Sequence, residues 1–284
     1  MTYKQWYQEY LRLYKRKLAE KTQESYTRLN ALISPIIGTK ELEAITPDDI
    51  QTAIISAEKT AGSRQAQLVY TLLHAAFRRA VRSGHIRQSP VEAVDKPDHE
   101  GKQGRAIEGA DWQLLAPIIR ESVAFSLACF AGLRRGEVLG LRRGDIDLEA
   151  GLIRIERQRV RVRGQLVTAP PKSSAGVRIV PISPELAPIL TKAVRCFRPP
   201  SRSNLARNTG RRWNTAQKRR ASKRRIASDL RHTYATRLVL EGINLRVLQY
   251  VIGHADYQLT VSTYTHIGAA AAKIELSRVY NSLH

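Results

Sequence analysis

The apolar residues of this 284-residue chain change their period partway along it, and that change limits the fold more than any other feature. Up to residue 97 the pattern is helical. Trp6, Tyr7, Tyr10, Leu11 and Tyr14 recur at the spacing of one helix face. Thr22 reads as the N-cap of a helix through Leu32 that closes near Gly38. In TPDDI (46–50) a capping Thr, a Pro at the first position and two acids that suit the helix dipole predict a helix start. Ser63 opens a long amphipathic helix carrying Leu68, Leu72, Ala75, Ala76 and Ala80, with Gly84 as its stop, and SPVEAV (89–94) ends the region. DKPDHEGKQGRA (95–106) is polar, holds Pro and Gly and has no apolar periodicity, which predicts a linker. Beyond it, residues 111–131 predict an apolar helix or pair and RRGEVLGL a short amphipathic one. The period then falls to two: LIRIERQRVRVRG and VRIVPI (177–182) alternate, which predicts a small antiparallel sheet. Helices return from 185. The expected fold is therefore mainly α with a small antiparallel β-sheet. Its two domains are a helical one over 1–97 and a second over 107–284, joined by a linker at 98–106.

Charge narrows the partners. The formal net charge is +22, and it is uneven: residues 1–97 hold 15 Lys/Arg and 10 acids, residues 98–284 hold 32 and 15. A field of that sign concentrates polyanions, nucleic acid first among them. No apolar run is long enough to span a membrane and MTYKQWYQEY has no apolar core segment, so neither a membrane protein nor a signal peptide is expected. Cys129 and Cys196 lie far apart without metal-like spacing and read as reduced thiols of a cytoplasmic protein. Residues 202–225 hold ten Lys/Arg and no acid. Among them Arg211, Arg212, Lys218, Arg219, Arg220, Lys223, Arg224 and Arg225 suit contacts along a DNA backbone.

Four stretches carry chemistry. In SDLRHTYATRL (228–238) Ser228 reads as a helix N-cap and Asp229 suits the first turn, so Arg231 lies near a helix start and can fork onto phosphate oxygens. AGLRRGEVLGL places Arg134 after a Gly-Leu turn, with Glu137 one helical turn later. PPKSSAGVRIVPI puts Lys172 in a hairpin turn between strands. VIGHADYQLTVSTYTHI offers His254 after a glycine, then Tyr264. Two arginines, a lysine, a histidine and a tyrosine suit phosphoryl transfer by a tyrosine nucleophile without a metal. The cations neutralise non-bridging oxygens, the lysine protonates a leaving alkoxide and the histidine donates to an oxygen or moves a proton. There is no phosphate-cradling Gly-rich loop and no metal-like cluster, so neither metal nor cofactor is expected.

In order and spacing, over residues 125 to 268, these stretches resemble the tyrosine recombinase family, the phage-integrase and Xer-like site-specific DNA recombinases. The helical N-terminal part is similar to that family's core-site DNA-binding domain. The resemblance implies a C-shaped clamp on double-stranded DNA, with Arg134 and Arg231 as the catalytic arginines, Lys172 the hairpin lysine, His254 the histidine of the GH motif and Tyr264 the nucleophile. Glu137 matches an acid that supports the site. Tyr257 and His266 are set aside, the first as a packing residue and the second as a helix-end residue. The resemblance further implies a 3′-phosphotyrosyl intermediate without ATP, a homotetramer on synapsed DNA built from protein that is monomeric when free, and accessory DNA-bending proteins. The segment AAAAKIELSRVY (269–280) reads as a helix reaching a neighbouring protomer. One departure stands out: Ser228 replaces the histidine of the family's H-x-L-R. A type IB topoisomerase-like enzyme and a non-catalytic DNA-binding relative are the alternatives, the second suggested by Ser228.

Overall fold

A computed structural model describes residues 1–99, 106–195 and 226–264. Most of the linker, the basic segment 202–225 and the helix expected over 269–280 lie outside the described residues. The chain separates into two compact units, Met1–Lys102 with Arg161–Gln165, and Gln103–Val160 with Leu166–His284. Among the described residues no helix is long and apolar enough to cross a membrane.

The first unit is helical: α1 (Tyr3–Tyr14), α2 (Glu20–Ile37), α3 (Pro47–Ala61) and α4 (Ser63–Arg82). Thr2 caps α1 through Gln5 in a reciprocal pair, and Thr46 does the same for α3 through Asp49, with Pro47 at the first position. The aromatic stripe of α1 buries Tyr3, Trp6, Tyr7 and Tyr10. Trp6 is fully enclosed, and its indole Nε1 donates to the Ala76 carbonyl of α4 over 3.2 Å. The buried face of α4 runs Ala66, Val69, Leu72, Leu73, Ala76, Phe77 and Ala80. Leu68 and Ala75, also expected on its apolar face, are half-buried. One expectation about α2 is corrected. Its first bonds go to the Ala19 carbonyl, from Thr22 and Gln23, so Thr22 lies within the helix instead of capping it. The helix closes at Gly38 as expected, passing through Pro35 and burying Ile33 and Ile37 in its last turns.

The second unit packs helices around α6 (Val123–Phe130), whose residues from Ala124 to Phe130 are all buried. α5 (Gly109–Glu121), α8 (Ala187–Arg195) and α9 (Ile226–Leu240) pack on it. Then come α7 (Arg135–Gly140), α10 (Leu245–Ile252) and α11 (Tyr257–Tyr264). The strands are β1 (Ile146–Asp147), β2 (Leu152–Ile155), β3 (Gln158–Val162), β4 (Gln165–Ala169) and β5 (Arg178–Pro181). Where one sheet was expected there are two, ordered β1-β2-β5 and β3-β4. The two-residue turn Arg163-Gly164, with φ of 45° and 82°, closes β3 on β4, as a primed turn does. Pro170 and Pro171 then end β4, since neither has an N–H to give a ladder. Lys172 therefore lies in the β4–β5 connection that joins the two sheets, and not in a hairpin turn.

Replacing Trp6 by Ala should cost about 3–5 kcal/mol of unfolding free energy, because it leaves a large cavity. Tyr14→Ala, at the exposed end of the same stripe, should cost less than about 1 kcal/mol. Urea unfolding of the whole chain measures both.

Candidate functional site

The site is organised by the C-terminal end of α10. A helix leaves its last carbonyls without intrahelical partners, and cations suit that end of the dipole. Here three successive carbonyls each receive an arginine. Arg178 Nε donates to Val251 O over 2.6 Å, Arg231 Nη2 to Ile252 O, and Arg134 Nη2 to Gly253 O over 2.5 Å. Gly253 ends the helix in the left-handed conformation, at φ 65°. A Cβ there would stand 2.9 Å from Ala175 O, 2.9 Å from Arg178 Nη1 and 3.2 Å from Arg134 Nη1. Glycine is thus required twice over, for the backbone angle and for the room.

Arg134 precedes α7, just after Gly132 turns the chain out of α6 at φ 64°. A Cβ on Gly132 would meet the ring of Tyr234 at 2.5 Å. The Gly132 carbonyl takes Arg231 Nη1 over 2.6 Å, which ties the first arginine's turn to the second arginine's helix. Arg231 stands early on α9. Ser228, expected to cap this helix, is inside it and exposed, because the helix already runs from Ile226.

Glu137 is buried at 3% exposure and receives four N–H donors. Its Oε1 accepts from Arg134 Nη1 (2.7 Å) and Arg178 Nη1 (3.0 Å), and its Oε2 from the Arg134 backbone N–H (2.8 Å) and Arg178 Nη2 (2.9 Å). Burial works to raise its pKa, but the hydrogen bonds and charge of Arg178, then those of Arg134, outweigh it and hold the carboxyl below its ordinary value. Glu137 is therefore an ionised anchor for two guanidinium groups, not a residue of a helix surface.

His254 follows Gly253. Its Nδ1 lies 3.0 Å from the hydroxyl of buried Thr260. Burial first, and then the charges of Arg231, Arg134, His232 and Arg178, bring its pKa down to about 4, so the ring is neutral at neutral pH. Lys172 is exposed, in a loop that folds tightly on itself: a Cβ on Gly176 would meet Pro171 Cβ at 2.4 Å. Ala175 of the same loop abuts Gly253, so the lysine's segment is seated beside the arginines. Tyr264 is the last residue of α11, the helix that begins three residues after His254. Tyr257 packs under the Arg246 guanidinium, 3.8 Å from the ring centroid.

The structure thus gathers Arg134, Arg231, His254 and the Lys172 loop around one helix end. His266 and the eight basic residues expected on DNA lie outside the described residues. Among the described residues no group of three or more His, Cys, Asp or Glu is placed to hold a metal ion. Sequence reasoning missed Arg178. Its one signal is the strand period: Arg178 and Val180 must share a face, and that face is the buried one, opposite exposed Ile179. It also missed Gly253 as a spatial requirement and Thr260 as a partner of His254.

Comparison with known proteins places these features. The phage integrase family signature matches residues 115–270, and that of the phage integrase N-terminal SAM-like domain matches residues 2–56. The chain is similar to tyrosine recombinase XerC of Xylella fastidiosa, with 27% identity over 95% of this chain and 92% of the relative. It is 25% identical to tyrosine recombinase XerD of Lacticaseibacillus casei over 95% and 94%. A tyrosine recombinase of Thermosipho africanus is 27% identical over 65% of each chain. In fold it is similar to the Tn1549 transposon integrase in complex with a circular intermediate DNA, with a TM-score of 0.81, 21% identity and coverage of 98% and 99%. It is also similar to lambda integrase, solved as a dimer on a COC′ core site (TM-score 0.65, 22% identity, 93% and 95%) and as a tetramer on a Holliday junction (TM-score 0.63, 22% identity, 90% and 78%).

Glu137→Gln should destabilise the chain by about 3–5 kcal/mol at neutral pH, since it strips the buried Arg178, and with it the partly exposed Arg134, of their anion. A depressed carboxyl contributes fully above its unfolded value, about 4.3, and loses its contribution as pH falls through the folded value. The gap between wild type and variant should therefore be widest near neutrality and close below about pH 4. Thermal melts across that range measure it.

Proposed function

The chain belongs to the phage integrase family, and on that premise we propose that it is a site-specific DNA recombinase, cutting and rejoining duplex DNA through a 3′-phosphotyrosyl intermediate. One observation carries the reading: two arginines from distant segments and a neutral histidine meet at the end of one helix, and the next helix ends in a tyrosine.

The chemistry follows from those groups. The Tyr264 hydroxyl gives its proton to water as its oxygen attacks a backbone phosphorus and becomes its ester, and the 5′-oxygen leaves. In the pentavalent transition state charge accumulates on the non-bridging oxygens, where Arg134 and Arg231 neutralise it. A guanidinium carries five N–H donors, so the bonds of Arg134 to Glu137 and Gly253 leave it donors for phosphate. His254 donates to a phosphate oxygen, and Lys172 protonates the departing 5′-oxygen. The 5′-hydroxyl of a partner duplex then attacks the phosphotyrosine and frees Tyr264. The bond energy stays in the covalent link, so ATP has no part in the reaction.

The helical unit of residues 1–97 serves as the core-site binding domain, with 98–106 as the linker and 107–284 as the catalytic domain. The basic segment from Arg211 to Arg225 contacts the DNA backbone. Strand exchange joins two duplexes in a homotetramer, assembled from cytoplasmic monomers. The tetramer of lambda integrase on a Holliday junction supports that arrangement.

The test is covalent trapping. A nicked duplex carrying the chain's own site, selected from a random-sequence library, should yield a protein–DNA adduct resolved by denaturing gel. Tyr264→Phe should abolish it, and Arg134→Ala or Arg231→Ala should slow it by about 10² to 10³. Tight binding without any adduct would refute the reading. Affinity should also depend steeply on salt. Changing Lys218, Arg219, Arg220 and Lys223 together to Ala should flatten the log–log salt slope by up to about 3.6, read by fluorescence anisotropy.

A further inference from the structure

The hydroxyl of Thr260 is fully buried and lies 3.0 Å from Nδ1 of His254. Two arrangements fit that distance. Either the ring carries its proton on Nδ1 and donates to the threonine oxygen, or the hydroxyl donates to a bare Nδ1 and the ring proton sits on Nε2. The acceptor open to the hydroxyl proton decides between them, and five helical threonines show the usual alternative. Thr27, Thr71, Thr191, Thr233 and Thr263 each give their proton to the carbonyl four residues back. For Thr260 that carbonyl would be Asp256 O, and among the described residues no such bond is recorded. Its one recorded partner is the ring. A buried hydroxyl proton left without an acceptor is costly, so the acceptor has to be Nδ1.

We propose that Thr260 is a positioning residue that gives its hydroxyl proton to Nδ1 of His254, holding the ring as the Nε2–H tautomer, a donor to phosphate and not a proton acceptor. The inference rests on the recombinase reading for its functional meaning, though not for its geometry. Among the described residues the groups whose charge bears on the ring are Arg231, Arg134, His232 and Arg178, none of them a carboxylate. A neutral ring has one N–H to place, and the threonine decides which nitrogen bears it. Thr260 also stands one turn before Tyr264 on α11, on the same helix face. The bond that orients the histidine thus also pins the tyrosine's helix to the arginine cluster.

The experiment is ring-nitrogen NMR on the whole 15N-His-labelled chain, with the His254 signals assigned by their loss in His254→Asn. Wild type should show a protonated Nε2 and an unprotonated, hydrogen-bonded Nδ1. Thr260→Val should lose that preference, and Thr260→Ser should restore it. On the nicked duplex, Thr260→Val should form adduct about ten- to a hundredfold more slowly, the cost of one buried hydrogen bond, with unchanged DNA affinity, and Thr260→Ser should recover the wild-type rate. A wild-type ring protonated on Nδ1, or a Val variant with unaltered tautomer and rate, would overturn the proposal. If wild type itself forms no adduct, the recombinase reading fails while the ring spectrum still decides the tautomer.

Discussion

Three carbonyls at the end of one short helix hold the site together. Val251, Ile252 and Gly253 each accept from a different arginine, and those arginines come from the β5 strand, from α9 and from the turn before α7. Like charges gathered this closely repel one another, so something must offset the repulsion. Part of the offset is the helix end itself, whose unpaired carbonyls and dipole attract cations. The rest is Glu137, which binds two of the three guanidinium groups with both oxygens filled. Among the described groups that bond at this helix end, three guanidinium groups meet one carboxylate, a positive surplus of the kind that attracts an anion.

The arrangement is costly to build and specific once built. Arg178 has no exposed side-chain surface and Glu137 has almost none. A buried ion pair gains little over well-packed apolar residues, because desolvation consumes much of the attraction. What the pair supplies is direction. Arg178 spans from Glu137 to Val251, so α7 and α10 are held in one register, and Arg134 is aimed from both sides. The two glycines matter for the same reason. Gly132 lets α6 turn sharply over the Tyr234 ring, and Gly253 lets the loop bearing Lys172 come against the helix end. Each removes a side chain where two backbones or a backbone and a ring must meet.

The sequence made local features legible and left the long-range ones hidden. The start of α3 was readable because Thr46, Pro47 and Asp49 act within one turn. The start of α2 was not, because no side-chain cap marks Ala19 and the helix is set by what its far end buries. Arg134, Arg231 and His254 were readable as a set by resemblance to a family, and their shared helix end was not. Arg178 shows why. On a strand whose two faces both hold apolar residues, alternation alone does not say which face is inside. The pairing of Arg178 with Ile155 and of Val180 with Ile153 settles it, and that pairing joins segments more than twenty residues apart. Lys172 was misplaced for a related reason. A two-residue turn at Arg163-Gly164 claimed the hairpin, and Pro170-Pro171 moved the lysine into the next connection.

Burial first, and then the cations gathered at this helix end, set the state of His254. Burial and four neighbouring groups, three of them permanently charged, keep its ring neutral well below pH 7. A histidine in that setting is a poor reservoir for a second proton and a good donor of the one it has. An anion bound between Arg134 and Arg231 would cancel part of the repulsion and raise the ring's pKa toward its ordinary value. Even at that ordinary value, about 6.5, the ring is mostly neutral at pH 7, and Nδ1 stays free to accept from Thr260. Ser228 is exposed on the first turn of α9, three residues before Arg231. A hydroxyl there does not add to the cationic field around His254 as a protonated histidine would. The substitution thus leaves the electrostatics of the pocket to the arginines, and leaves His254 as the ring whose proton the pocket tunes.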